Sequence, residues 1–490
     1  MMECKITLRD EVWCTISGLK EEHRDAFWHK FGVYAEGYIW MPAYKLGRWD
    51  GKIRFFEKTG KTYVRLIDKI VPMLYSYGYD IDLIDLRPEQ IGPEPFGEIT
   101  QVDSFGIAIS AIGGDIIPGA EVRPGLPFVL RPYQLQCINE CIKNEFGFVI
   151  AGTGAGKTSI TAGLSFAYSQ VGLKVITIVP SSDLVDQTAS WYRSVGLDTG
   201  IYSGTEKNID SLNVVATWQA LQYNPELMAH FDVLIWDEAH GIKASVAQSL
   251  INEHGKHIKF RFGVTGTFPK PDAEQMALFS SIGPILKTIP AKWLIDNDYL
   301  AKVEIQPVEL NETYVSENFP DYDAEKAFLV KSPARMEMIA DVIISQAAKH
   351  GNTFVLVNSI SFGKKLSALI KNSVFLYGSS EKDLRREHYD MFEEHDDLIV
   401  IASAGIASTG LSIDRIFCLF VVDAGKSFIK AIQSIGRGLR KGRDKNKIMV
   451  IDIHSKQKWA KKHFKDRVKH YKEAEYPILD IEKIKVKDSK

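Results

Sequence analysis

The chain has 490 residues, 45% of them hydrophobic and 25% charged, with a formal net charge of −2. At about 150 residues per domain this allows roughly three domains with more than one core, which excludes a disordered or fibrous chain. A charge so near zero also excludes attraction of nucleic acid by the field of the whole molecule, so any such contact must come from local basic patches.

The opening MMECKITLRDEVWC places charges where a signal peptide needs its apolar core. No uncharged apolar run reaches the ~18 residues of a membrane span, so a cytoplasmic protein without membrane contact is expected. Five cysteines are scattered; Cys137 and Cys141 alone are close, with no second pair to complete a zinc site, and all are expected to be reduced thiols. Residues 1–98 read as a small α+β domain of closely spaced strands, aromatics and glycine turns. Within it GYIWMPAYKLGRWDGKIRFF (Gly37 to Phe56) interleaves Lys45, Arg48, Lys52 and Arg54 with Tyr44, Trp49, Phe55 and Phe56. A groove for phosphates and unstacked bases needs that mixture. Each aromatic taken singly suits a core. The stretch as a whole reads as a nucleic-acid surface, with Arg48, Trp49 and Lys52 as contacts. EQIGPEPFGEI (Glu89 to Ile99), rich in Pro and Gly, reads as linker.

From Phe146 onward, β-rich apolar runs alternate with helix-like stretches: FGFVI, KVITIVP, LNVVAT, DVLIWDEAH and RFGVTGT. A second series, TFVLVNS, SVFLYGS, DLIVIAS, IFCLFVVD and NKIMVIDI, follows Ala301. Such alternation gives βαβ crossovers and parallel sheets with ligands at the strand C-terminal ends. The expected fold is α/β, two parallel-sheet domains in tandem at 99–290 and 291–490, connected near Thr288 to Lys302.

AGTGAGKT (Ala151 to Thr158) follows FGFVI and precedes a helical pattern. In that context backbone N–H groups and a helix N-terminus cradle phosphates, with Lys157 on the β/γ-phosphates and Thr158 on Mg²⁺. The strict pattern has Gly where this chain has Ala151. FDVLIWDEAH ends a strand in two carboxylates, Asp237 placed to hold Mg²⁺ and Glu238 to orient and deprotonate an attacking water. Far downstream, QSIGRGLR (Gln433 to Arg440) carries two arginines at a spacing that shares a helix face and converges on one anion. The tail SKQKWAKKHFKDRVKHYK (Ser455 to Lys472) has eight Lys or Arg against one Asp, with Trp459, Phe464, Val468 and Tyr471 as an apolar stripe. A docked, mostly solvated basic helix is expected.

Together AxxGxGKT, DEAH, the TGT triplet (Thr265 to Thr267) and QxxGRxxR, in this order between about Leu130 and Ile453, resemble the superfamily-2 helicases and translocases. The resemblance implies two RecA-like domains, ATP and Mg²⁺ as cofactors, and Arg437 and Arg440 as fingers reaching ATP bound by the other domain, where such fingers act in the transition state. It places Arg131 and Gln134 of LRPYQLQ at the adenine, and Gly152, Thr153, Gly154, Ala155, Gly156, Lys157 and Thr158 around the phosphates. His240, Gly410 and Gln433 complete the nucleotide set. Pro180 and Ser181 of PSSDLVDQ, and Thr217, Trp218 and Gln219 of ATWQAL, correspond to nucleic-acid motifs, as do Ser359, Ser379 and Thr409 in the second domain. Ser412 replaces an acidic residue many relatives carry, which leaves the role of Asp414 open. The pattern Gly37, Tyr38, Pro42, Gly47, Trp49, Asp50, Gly51, Ile53 and Arg54 resembles the amino-terminal segment of UvsW-type phage branch-migration helicases.

The expected function is therefore an ATP-dependent DNA helicase, monomeric, acting on forks, Holliday junctions and displacement loops in recombination, repair and replication restart, in a host cytoplasm if phage-encoded. A double-strand translocase or an RNA helicase is the alternative, and a nucleotide-gated DNA clamp without coupled movement the second. Between TGLSID and QSIGRGLR the chain is too short for a large strand-splitting hairpin. A wedge then belongs in the amino-terminal part or within Asn311 to Arg335.

Overall fold

The computed structural model describes residues 2–96, 130–152, 154–204, 206–239, 248–266, 271–313, 319–377, 394–403, 415–422, 447–473 and 475–486, together with 246, 268, 269 and 391. The chain forms two compact units, the main body of the first reaching Ile289 and that of the second beginning at Pro290.

The first unit opens with a four-stranded sheet in the order β5-β2-β1-β6, from β1 (Met2–Leu8), β2 (Trp13–Ser17), β5 (Lys61–Tyr63) and β6 (Tyr79–Asp85). β1 and β6 run parallel and the other pairs antiparallel. Helices Glu21–Lys30 and Ile67–Ser76 supply Phe27, Ile70 and Leu74 to a core with Ile6, Cys14 and Ile16. A separate two-stranded hairpin, β3 (Gly32–Tyr34) and β4 (Lys52–Arg54), pairs Tyr34 with Lys52.

Seven parallel strands follow: β7 (Phe146–Ala151), β8 (Val175–Val179), β9 (Thr199–Tyr202), β10 (Asn213–Thr217), β11 (Val233–Asp237), β12 (Phe260–Thr265) and β13 (Ile285–Ile289), in the order β13-β7-β12-β11-β8-β10-β9. Strands covered on both faces read as continuous apolar runs, which is why FGFVI, VITIV and VLIWD form its centre. The second unit repeats the plan with β14 (Lys302–Glu312), β15 (Thr353–Val357), β16 (Ser373–Leu376), β17 (Ile399–Ser403), β18 (Cys418–Val422), β19 (Lys447–Ser455) and β20 (Glu482–Val486), in the order β16-β17-β15-β18-β19-β14-β20, again all parallel. The fold is thus α/β, two RecA-like parallel-sheet domains with a small α+β amino-terminal domain.

Four strands escape the sequence reading. β13 is an exposed edge, β9 is only four residues long, and β20 is mostly charged. β14 contains Pro307, which cannot donate to a ladder. It is tolerated because β20 pairs only from Val308 onward, while Ile305 is served by Pro477 and Leu479.

The Glu89–Phe96 stretch, expected as linker, is laid down on the first parallel-sheet domain. Gln90 Nε2 donates to the His257 carbonyl (2.8 Å), and Phe96 N–H donates to Asn139 Oδ1 (2.9 Å). Between the small sheet and β7–β12 lies a buried charged seam. The Arg65 guanidinium carbon sits 3.5 Å from the Phe146 ring centroid and its Nη2 donates to the Lys259 carbonyl at 2.9 Å. Glu11 receives Arg87 at 2.8 Å and stands 3.7 Å from Arg65. Burial first, and the neighbouring Arg261 second, push the Arg65 guanidinium well down from its usual range, with Glu11 opposing.

The basic tail forms the helix Lys458–Glu473, docked by Ala460, Phe464 and Tyr471. One of its cations is not solvated. Arg467 is buried and clamps Asp452 of β19 through two bonds of 2.8 and 2.7 Å, while the Tyr471 hydroxyl donates to the same carboxylate at 2.8 Å. All five cysteines are free and buried, and burial raises the Cys137 thiol to about 12.

Candidate nucleotide and nucleic-acid sites

β7 ends at buried Ala151, so the departure from glycine falls inside the sheet, ahead of the turn. Gly152 N–H is tied to the Ile289 carbonyl of β13 at 2.9 Å. Gly154 (φ 83°) and Gly156 (φ 71°) then take left-handed conformations that suit glycine. Gly156 caps the helix Lys157–Gln170, and a Cβ there would lie 2.5 Å from Gln134 Nε2. Gln134 is held in turn by the Arg131 N–H, which donates to its Oε1 at 2.9 Å, and Arg131 Nη1 donates to the Tyr133 hydroxyl at 3.1 Å. The segment expected at the adenine therefore also braces the phosphate loop. Ala155 is buried. Thr158, in the first helical turn, accepts the Thr161 hydroxyl on its carbonyl at 3.0 Å.

Because β12 lies between β7 and β11, the C-terminal ends of all three strands meet. Asp237, 5% exposed, accepts the Glu238 N–H at 2.9 Å. Glu238 itself has φ 52°, a conformation few non-glycine residues adopt outside constrained sites. Its Oε1 lies 3.0 Å from Lys157 Nζ. A Cβ on Gly266 would stand 3.4 Å from the same ammonium. Lysine, two carboxylates and left-handed glycines at a helix N-terminus form a cradle for a phosphate chain. The oxygen donors Thr158 and Asp237 suit Mg²⁺, which keeps most of its water. Among the described residues no cluster of three or more His, Cys, Asp or Glu gathers around a metal, and Mg²⁺ held largely by phosphates needs none.

β8 and β10 are neighbours, so the two expected nucleic-acid loops also lie side by side. Gln219 Nε2 donates to the Pro180 carbonyl at 3.1 Å and ties them together. The Thr217 hydroxyl caps the helix Trp218–Gln222 by accepting Ala220 N–H at 3.2 Å, and Trp218 packs against the domain core. Ser181, ahead of the helix Ser182–Ser194, makes no cap; its Oγ is buried without a hydrogen-bond partner. In the second unit Ser359 caps the helix Ile360–Leu369, accepting Phe362 N–H at 3.4 Å.

In the amino-terminal domain the aromatics divide. Phe55 and Phe56 are core, and Trp49 is half-buried with Nε1 donating to the Lys52 carbonyl at 2.9 Å. Arg48 is exposed, and Lys52 Nζ lies 4.8 Å from the Tyr34 ring centroid. The most exposed aromatic of the stretch is Trp40, at 73%. Sequence reasoning passed over it. Its signal was a tryptophan within IWMP, just ahead of a proline and outside any alternating strand pattern.

Three family models match the chain: type III restriction enzyme, res subunit, over residues 127–270; helicase conserved C-terminal domain over 334–442; and DNA helicase UvsW, N-terminal, over 20–85. The chain is a superfamily-2 helicase. The two motor domains joined to a UvsW-type amino-terminal domain make it an ATP-hydrolysing DNA helicase. It is similar to the ATP-dependent DNA helicase uvsW of Enterobacteria phage T4, with 26% identity over 444 residues, 86% of this chain and 85% of that one. It is also similar to the DNA 3'-5' translocase XPB2 of Sulfurisphaera tokodaii, with 23% identity covering 66% of this chain and 80% of the relative. In fold it matches the ATP-dependent Type ISP restriction-modification enzyme LlaBIII bound to DNA, with a TM-score of 0.56 and 15% identity over 86% of this chain and 36% of that one. Within this helicase Thr153, His240, Thr267, Ser379, Thr409, Gly410, Ser412, Asp414, Gln433, Arg437 and Arg440 lie outside the described residues. No described helix is long and apolar enough to cross a membrane.

Proposed function

We propose that this helicase unwinds and branch-migrates forked, Holliday-junction and displacement-loop DNA, as a monomer, in recombination, repair and replication restart. Its working place would be a reducing cytoplasm, a setting compatible with five free buried thiols. The division of labour would be an accessory DNA-binding domain over 1–98 and motor domains over 99–290 and 291–490. The observation that carries this reading is the exposed set of cations and aromatics in Tyr38–Phe56, built on a domain fused to the motor through the Arg65 seam. A motor contacts DNA mainly through phosphates common to all substrates, so preference for a branch needs such an additional surface.

Lys157 is paired with Glu238. With ATP bound, Lys157 would meet the β/γ-phosphates, and Glu238 would orient the attacking water and accept its proton. Thr158 and Asp237 would hold Mg²⁺, which neutralises developing phosphate charge. Arg131, Gln134, His240, Gly410 and Gln433 are assigned to the nucleotide, and Arg437 and Arg440 to the transition state. Arg48, Trp49 and Lys52 are assigned to DNA, as are Pro180, Ser181, Thr217, Trp218, Gln219, Ser359, Ser379 and Thr409. The match to a restriction-enzyme motor keeps double-strand translocation without strand separation as the second reading.

ATPase stimulation and strand displacement should be compared on single strand, blunt duplex, fork and four-way junction. Forks and junctions are expected to be opened several-fold faster than plain duplex. Full ATPase stimulation by duplex with no strand displaced from any substrate would favour the translocase instead.

A further inference from the structure

The β3–β4 hairpin carries a small platform with a hydrophobic tip. Beneath, the parts are fixed. Tyr34 stacks on Tyr38 (4.5 Å, 22°), which meets Tyr44 edge-on (4.8 Å, 88°). Gly51, at φ 81°, leaves no room for a Cβ against the Tyr38 ring. Asp50 is paired with Arg54, whose guanidinium lies 3.7 Å from the Trp28 ring centroid. Above, the side chains have little to rest on: Ile39 is 47% exposed, Trp40 73% and Leu46 64%. An apolar tip on a rigid base is unusual for a soluble surface and marks a contact.

The surrounding charge says what the contact is. Lys45 Nζ stands 5.3 Å from the Trp40 ring centroid, and Arg48 and Lys52 belong to the same platform. Of the two acids between β3 and β4, Asp50 is engaged by Arg54. Glu36 is turned to Glu274 of the first motor domain, whose carboxyl it pushes up after burial has done so. Lys45 beside a largely exposed indole, with Arg48 exposed on the same segment, fits phosphates flanking an unstacked base. The other candidate position for a wedge, Asn311 to Arg335, is built into its own domain where described. Arg335 is buried against Glu312 at 2.9 Å, and Glu325 accepts the N–H groups of Trp459 and Ala460.

We propose that Trp40 is the strand-separating wedge: at a DNA branch its indole stacks on the first unpaired base, while Lys45, Arg48 and Lys52 hold the neighbouring phosphates. The inference rests on the branched-DNA reading above. The Arg65 seam ties the small sheet of the same amino-terminal domain to the motor domain that carries the phosphate loop.

The test uses the full chain with a fork carrying 5-iodouracil at the first unpaired position of the branch, irradiated in the near ultraviolet. The parent is expected to crosslink through the peptide containing Trp40. Trp40→Ala should lose that crosslink and slow fork opening about tenfold more than it lowers single-strand-stimulated ATPase, and Trp40→Phe should recover most of the rate. Because the side chain is largely exposed, the melting temperature should not move. A parent that opens no branched DNA would overturn the function reading and the wedge with it. A parent that opens forks, with Trp40→Ala matching it in rate and crosslink, overturns the wedge alone. So does a dimer that Trp40→Ala makes monomeric while fork opening is unchanged, which would assign the tip to a second copy of the chain.

Discussion

The phosphate loop and the Tyr38–Phe56 platform both present cations, yet they are built from different materials. At the loop the backbone does most of the arranging: left-handed Gly154 and Gly156, a helix N-terminus, and three adjacent strand ends fix Lys157, Asp237 and Glu238 within contact of one another. On the platform, side chains stacked on side chains hold the cations, and Arg48 stands in solvent. A site set by backbone in a half-buried cradle acts through a few groups whose loss is severe. An exposed, side-chain surface acts through a sum of modest, salt-screened interactions.

Three measurements bear on that contrast. The largest effect belongs to Lys157→Ala, which should lower DNA-stimulated ATPase by about 10² to 10³, the scale for losing one preorganised charge at a reacting phosphate. Turnover within a few-fold of the parent would place the chemistry elsewhere. Next comes the seam that joins the small sheet to the first motor domain. Arg65→Ala leaves buried Glu11 with Arg87 alone and empties the space over Phe146. It should destabilise the first unit by about 3 kcal/mol in urea unfolding. A loss under half of that would mean the seam contributes little to holding the small sheet on the motor domain. The smallest effect is graded. Arg48→Ala with Lys52→Ala should weaken fork binding more than single-strand binding, and should lower the slope of log affinity against log salt by about one unit for each DNA phosphate no longer neutralised. An unchanged slope at low and moderate salt would show that the platform's cations do not meet DNA.

Much of the motor was legible. Fully buried parallel strands must be apolar throughout, so five runs in each half announced themselves, and the glycine spacing of AGTGAGKT demands a left-handed turn at the end of one of them. Strands escaped where that rule relaxes: exposed β13, short β9, charged β20, and β14 with a proline excused by a gap in its neighbour. The Glu89–Phe96 segment, with two prolines and a glycine, gave no sign of being fastened, because its anchors, His257 and Asn139, are remote in sequence.

Cations were the least readable class, since a charged side chain looks the same in sequence whether it meets water, an aromatic ring or a buried acid. Arg467 stands in a tail that reads as solvated, yet it is the buried partner of Asp452. Arg65 drew no notice and spans the seam. The aromatics of Gly37–Phe56 divided in the same way, Phe55 and Phe56 inward and Trp40 outward. The sequence by itself determined the strand runs, the phosphate-loop turn and the order of the motor motifs, because each depends on neighbours a few residues away. Only the tertiary structure decided which charges are buried and which aromatic stands free, because burial is set by surfaces brought together from distant parts of the chain.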